Sequence, residues 1–362
     1  MKHRKKIRRH ACVAVAVYIN GNGTGTGCVK NVSIVKKEKE RKVSLSNRDY
    51  HELQKLSHSL IVAIRDKGCY SAFKESAFNP ERVEEEPSNA LVFGQLYHVL
   101  VRSREIVENP DSYTSSLTVC LNPTARTPKD EELKSISVDD YCVIFIYDFG
   151  LSRTNKAYDA MLQYLKANNQ WTDDALLVSP AEFEQCIAMV KALYANPYYQ
   201  AFFQNYELVG EEMDIMFELD GFPCKARLDA LLKDTKTGQY FIIDWKSTKN
   251  TTREQNQLCG EKMGYHVQDY LYKNAVAQKF NVPISDVNML FFMQNKELPE
   301  IIYVARFDKD SYMLGDSEFC QYARDFEFRL KKYQEGNKLA FVDNPGIIEF
   351  AYFEPKLLEQ PD

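Results

Sequence analysis

Hydrophobic and polar positions follow two regular patterns along the chain after residue 43. Apolar residues recur at helical spacing in seven stretches, which predict helices over 46–56, 57–73, 89–101, 156–167, 180–195, 264–280 and 310–334. Alternating or dense β-branched and aromatic runs predict six strands, over 141–147, 208–219, 223–232, 239–245, 287–294 and 301–307. Residues 110–129, rich in Ser, Thr and Pro, are predicted as a loop. This order favours an α/β (α+β) fold, a central mixed β-sheet flanked by helices.

The composition is typical of a soluble globular protein. Of the 362 residues, 44% are apolar and 27% are charged, which excludes a wholly disordered chain. The longest apolar runs are far shorter than the roughly 20 residues that cross a bilayer, so we expect no membrane protein. Nine cysteines form no CxxC pair, and this usage favours reduced thiols in a cytoplasm over disulfides or a zinc site.

Charge is distributed unevenly along the chain. Residues 1–42 hold twelve Lys and Arg against two Glu, a net charge of +10, so the remainder carries −15 of the total of −5. We therefore expect a weakly ordered basic extension over 1–43, a folded domain over 44–335 and a C-terminal tail over 336–362. An acidic body repels polyanions, so nucleic acid would have to bind it through local basic patches.

A predicted hairpin carries the first candidate chemistry. Its turn is centred near residue 236, so Asp229 and Asp244 are expected to face each other across the strands, with Cβ atoms about 5 Å apart. Period two places Lys246 on the same face. Two adjacent carboxylates repel unless a cation lies between them, and hard oxygen ligands favour Mg²⁺ or Mn²⁺. A surface hairpin with solvated ion pairs is the alternative interpretation.

Further polar residues accompany this hairpin. Gln268 and Tyr272 share one face of the following helix, which begins near Tyr265. Glu212 lies on the preceding strand, within reach of a third ligand position. His98 lies on an otherwise apolar helix, where a core histidine and a metal ligand are both open interpretations.

Four segments, 90–98, 224–229, 243–248 and 265–272, together form an ordered set of motifs. They resemble the nuclease domain of exodeoxyribonuclease VIII (RecE-type), in the RecB-like branch of the PD-(D/E)xK nucleases. The resemblance extends over about residues 45 to 335 and implies a restriction-endonuclease-like core with helical N-terminal additions. The chain departs from the family at Leu228, where proline is frequent, and in its longer hairpin.

The resemblance also assigns roles to individual residues. It implies that His98, Asp229 and Asp244 are metal ligands, joined by the carbonyl of Ile243, and that Lys246 orients or deprotonates the attacking water. Glu212 matches an acidic position of the family. The family motifs also imply contacts to DNA, by Gln268, Tyr272, Tyr265 and Thr248. Arg227, on the same strand face as Asp229, is our own candidate for a phosphate contact.

The function implied by the resemblance is a Mg²⁺-dependent DNA exonuclease, with Mn²⁺ able to substitute. It would digest linear double-stranded DNA 5′→3′ for phage-type recombination, through attack of metal-activated water on the phosphodiester. Implied partners are double-stranded DNA ends, a RecT-type single-strand annealing protein and further copies of the chain in a homo-oligomer. Alternatives are an endonuclease of the same fold and a catalytically silent DNA-binding or assembly module.

Overall fold

The computed structural model describes residues 45–83, 87–110, 115–119, 131–138, 143–147, 156–172 and 174–342. The predicted basic extension and most of the predicted C-terminal tail lie outside these residues. Within the described ranges, the helices are α1 (Asn47–Glu52), α2 (His58–Glu75), α3 (Asn89–Arg102), α4 (Arg104–Glu108), α5 (Lys156–Ala167), α6 (Pro180–Ala195), α7 (Pro197–Asn205), α8 (Arg253–Lys262), α9 (Tyr265–Phe280) and α10 (Lys309–Gln334). The strands are β1 (Ser115–Val119), β2 (Glu131–Ser137), β3 (Val143–Tyr147), β4 (Leu176–Val178), β5 (Glu207–Leu219), β6 (Phe222–Lys233), β7 (Tyr240–Thr248), β8 (Val287–Asn295) and β9 (Ile302–Ala305).

The main sheet has the strand order β5-β6-β7-β8-β9. Strands β5, β6 and β7 form an antiparallel meander, β8 runs parallel to β7, and β9 is an antiparallel edge strand. The parallel pair requires a crossover connection, and α8 and α9 supply it between β7 and β8. The predicted central mixed sheet is therefore confirmed.

A second sheet, with the order β1-β2-β3-β4, precedes the main sheet in the chain. The prediction of a loop over 110–129 is wrong at Ser115–Val119, which forms β1 and pairs with β2. Both strands are short and rich in Ser, Thr and Glu, so neither has the apolar alternation that identifies a strand from sequence. These strands are stabilised by pairing with each other rather than by local sequence preference.

Helices cover both faces of the main sheet. On one face α3 packs against β7 and α6 against β8, and their apolar residues form a core shared with the second sheet, including Leu96, Trp245 and Phe292. On the other face α9 packs against β5, β6 and β8, and α2 and α10 form a further layer outside it. The site strands β6 and β7 thus lie between two rigid helical layers.

None of the described helices is both long and apolar enough to cross a membrane.

Candidate metal centre and active site

Three adjacent strands bring three carboxylates to the same level of the main sheet. The ladder between β6 and β7 ends with the pair Ala230 and Ile243. Continued by one residue, its register brings Asp229 opposite Asp244, as the symmetry of the hairpin predicts. On the other side of β6, the register of β5 opposes Glu212 to Asp229. Glu212 has a φ of 45°, a left-handed conformation that is costly for a side chain and concentrates at functional sites.

His98 completes a compact ligand group with two of these carboxylates. Ligand atoms of His98, Glu212 and Asp229 all lie within 4.8 Å of one another. Nε2 of His98 lies 2.7 Å from the carbonyl oxygen of Trp245, and Nδ1 lies 3.5 Å from Oδ1 of Asp229. Because a carbonyl can only accept, Nε2 carries a proton that it donates to Trp245, and Nδ1 faces Asp229.

The backbone of Trp245 orients two members of this ligand group. Its N–H donates to Oδ2 of Asp229 at 2.9 Å, and its carbonyl accepts from His98. The indole ring is fully buried in the core between the sheets, which fixes the peptide in place. Sequence reasoning missed Trp245, since a role carried by backbone atoms leaves no signal in residue type.

Asp244 and Lys246 form a second charged pair beside the ligand group. Nζ of Lys246 lies 2.7 Å from Oδ2 of Asp244, and Nε2 of Gln268 donates to Oδ1 of Asp244 at 2.5 Å. The ammonium group also lies 5.1 Å from the ring centroid of Tyr265, within cation–π range. Tyr265 is itself stacked on Phe291 in the core, so the position of Lys246 is set by packed neighbours.

Burial changes the acid–base properties of these residues. Burial raises the pKa of Asp229 to about 7; the neighbouring His98 opposes this rise and the charge of Asp244 adds to it. Burial lowers the pKa of Lys246, but the carboxylate of Asp244 outweighs it and holds that pKa above its usual value. The metal-free site therefore retains a proton among its carboxylates near neutral pH.

A divalent cation fits this set of donors. The group offers two carboxylates and an imidazole nitrogen, and Lys246 holds Oδ2 of Asp244 beside it. A cation there would replace the proton that Asp229 retains and would relieve the repulsion between the carboxylates. His98, Glu212 and Asp229 are the residues that could hold it, with Asp244 on the adjacent strand.

Three other predicted site residues occupy different surroundings. Ile243 is fully buried and is paired in the sheet with Ala230 and Leu290, whereas the carbonyl that reaches His98 belongs to Trp245. The hydroxyl of Thr248 accepts from the backbone N–H of Asn250 at 3.0 Å, at the end of β7. Tyr272, one turn after Gln268 on α9, lines the cavity described below.

The structure corrects the interpretation of Arg227 as a phosphate contact. Nε and Nη2 of Arg227 donate to the two oxygens of Asp214 at 2.7 and 3.1 Å. Nη2 also donates to the carbonyl of Leu45, and Nη1 lies 3.4 Å from Oδ1 of Asn47. Each nitrogen of the guanidinium group is therefore engaged within the protein.

A cavity of about 450 Å³ opens beside the ligand group. Its walls come from the segment around α1, the start of α2, one face of α3, the residues before β4, and strands β5 and β6. The lining residues include Leu45, Asn47, Tyr50, Ser57, His98, Arg102, Asp174, Glu212, Lys225, Arg227, Asp229 and Tyr272.

Residues 57–335 match the sequence model of a family described as a PDDEXK-like domain of unknown function (DUF3799). The chain belongs to this PDDEXK-like family. The match confirms the PD-(D/E)xK resemblance and the restriction-endonuclease-like fold, and together with the Asp–Asp–Lys arrangement it supports a nuclease. No curated protein sequence matches the chain. A similar solved structure is that of a candidate exonuclease from Eubacterium rectale, with 13% identity and a TM-score of 0.47, covering 80% of this chain and 85% of that one.

Proposed function

We propose that this PDDEXK-like protein is a divalent-metal-dependent deoxyribonuclease that degrades linear double-stranded DNA from its ends. The observation that carries the proposal is the His98–Glu212–Asp229 ligand group beside the Asp244–Lys246 pair. A cation-binding acidic group next to a lysine supports hydrolysis of a phosphodiester, whose transition state gains negative charge.

Each residue of the site contributes separately to this reaction. A bound divalent cation would supply positive charge to the phosphate and to the attacking water. The ammonium of Lys246 would orient that water and stabilise charge on the phosphate oxygens. Gln268 holds Asp244 through its amide, and Tyr272 lies in the cavity wall where the DNA backbone would pass.

The finer features of the proposal rest on the RecE-type resemblance. We propose Mg²⁺ as the physiological cation with Mn²⁺ as a substitute, 5′→3′ digestion, and a role in phage-type homologous recombination in a bacterial cytoplasm. A RecT-type annealing protein and a homo-oligomeric assembly are the proposed partners.

The decisive experiment is digestion of linear duplex DNA labelled at either the 5′ or the 3′ end. With Mg²⁺ or Mn²⁺ we expect progressive loss of DNA, with early release of the 5′ label, and with EDTA no digestion. Early release of the 3′ label would reverse the polarity. Absence of digestion with every divalent cation would contradict the proposal and favour a silent DNA-binding module.

A further inference from the structure

Residues 45–51, here called the strap, bridge the two sheets across the cavity. The backbone N–H of Leu45 donates to Oδ2 of Asp214 on β5, at 2.8 Å. The backbone N–H of Asn47 donates to Oδ1 of Asp174 at 2.9 Å, just before β4 of the second sheet. The strap therefore forms one wall of the cavity and is tied at both sides of it.

Lys225 and Arg227, two cationic residues of β6, bind the strap. Nζ of Lys225, a residue only 5% exposed, donates to the carbonyls of Tyr50, His51 and Leu53 at 2.8, 3.4 and 3.0 Å. The ring of Tyr50 lies 4.8 Å from Nζ of Lys225 and 4.2 Å from the guanidinium carbon of Arg227. These contacts fix the strap to the strand that carries Asp229.

The size of the cavity limits what can occupy it. A volume of about 450 Å³ is within the range of about 300–1,000 Å³ usual for pockets that enclose a small molecule. A continuous DNA strand must both enter and leave the site, whereas a strand end needs one opening. The strap forms the wall of the cavity between its anchors on the two sheets, so it would obstruct an exit on that side.

We infer that the strap prevents a continuous strand from passing through the cavity and so restricts cleavage to strand ends. The inference rests on the proposed nuclease function and identifies the element that determines its specificity. Asp174, Asp214 and Arg227 are then specificity residues that act by positioning the strap, while the ligand group carries the cleavage.

The test compares a negatively supercoiled closed plasmid with the same plasmid linearised, in Mg²⁺. Arg227→Met removes the guanidinium under the strap, and Asp174→Ala removes the anchor on the second sheet. Arg329→Met is the matched control, because Arg329 pairs with Asp325 on α10, away from the cavity. Melting temperature and circular dichroism establish that each variant is folded, and Asp174→Ala decides the test if Arg227→Met does not fold.

We expect the wild type and the control to digest the linear plasmid and spare the closed one. Both strap variants should raise the ratio of closed-plasmid nicking to linear digestion at least about tenfold. Folded strap variants with an unchanged ratio, or a wild type that already nicks the closed plasmid, would overturn the inference while leaving the nuclease function intact. A wild type that digests neither form would instead refute the proposed function, and the inference with it.

Discussion

At Asp229, burial and the neighbouring cations shift the pKa in opposite directions. Burial is the chief cause that raises its pKa to about 7, well above the usual value for an aspartate. In the metal-free protein the folded state therefore binds a proton that the unfolded state has already released above about pH 4. Stability from this proton is present at low pH and is lost as the pH rises through about 7.

This loss of stability at higher pH predicts how pH and bound metal affect the melting temperature. In EDTA, raising the pH from 5 to 8 should lower the melting temperature of the wild type relative to that of Asp229→Asn. The comparison with this variant is needed because His51 and His58, whose pKa values are lowered to about 4 chiefly by desolvation, give both proteins a pH dependence of opposite sign. Mg²⁺ or Mn²⁺ should stabilise the wild type more at pH 8, where the proton no longer competes. Differential scanning fluorimetry measures both effects. Asp229→Asn should lose most of the metal response, and equal metal stabilisation of the wild type at both pH values would contradict the assignment.

Asp244 and Lys246 allow catalysis to be separated from folding. Asp244→Asn retains the shape of the side chain and an acceptor for Gln268, and Lys246→Met retains most of the aliphatic stem. Each should lower the rate of DNA digestion by at least about a hundredfold, the usual effect of removing one group that stabilises transition-state charge. Asp286→Asn, on the short turn before β8, is the control and should retain full activity. Activity above a tenth of wild type in a folded variant would exclude the residue from the chemistry.

The candidate site could be predicted from sequence only where local geometry determines it. Hairpin symmetry suffices to oppose Asp229 to Asp244, because register follows from the turn. The anchors Asp174 and Asp214 lie 127 and 169 residues from the strap atoms that they bind, so no local pattern connects them. The contacts of Arg227 to strap residues 182 and 180 positions away could not be predicted for the same reason.

At the scale of elements, the packing of α9 against α10 depends on Gly315. A Cβ added at this position would lie 2.4 Å from the backbone carbonyl oxygen of His266. Backbone atoms cannot move aside as a flexible side chain can, so the two helices would have to separate. This close approach explains a glycine in the middle of a 26-residue helix.

Gly315→Ala is therefore expected to destabilise the protein by about 1–3 kcal/mol, as overpacking does. Gly94→Ala is the matched control, because Gly94 is also inside a helix and has nothing within 4 Å of an added Cβ. It should be neutral or stabilise by up to about 1 kcal/mol through helix propensity. Urea unfolding midpoints measure both, and similar changes in the two variants would contradict the packing argument.

Long periodic elements were predictable, whereas short polar elements were not. Helices α3 and α6 have regular apolar faces and lie close to their predicted bounds. Helix α8 is mostly polar and has no regular apolar face, and its sequence signal is the capping box from Thr252 to Gln255. Helix α7 follows α6 after one residue, where Asn196 and Pro197 begin a new helix.

At the scale of the whole molecule, the family match begins at residue 57 and leaves the strap outside it. A chain that begins at Val43 should retain its nuclease activity and melting temperature, because every described strap contact is kept. A chain that begins at Ser57 loses the buried side chains of Tyr50 and Leu56 and the three carbonyls that bind Lys225. Each buried apolar side chain contributes about 1.5–3 kcal/mol, so the melting temperature should fall by about 5 °C or more.

Calorimetry of the two shortened chains checks this prediction. Loss of folding on removal of residues 1–42 would place that segment within the domain. An unchanged melting temperature in the chain that begins at Ser57 would show that the contacts of residues 45–56 contribute little to stability.

The anchoring of the strap also has a consequence for synthesis of the protein on the ribosome. Leu45 emerges early, but the guanidinium that binds its carbonyl belongs to a residue 182 positions later. At about 5–20 residues per second, roughly 10 to 35 s pass before that residue is added. A six-residue helix does not persist alone in water during this interval. The wall of the cavity therefore forms only after β6 has left the ribosome, and until then the nascent chain has no complete cavity.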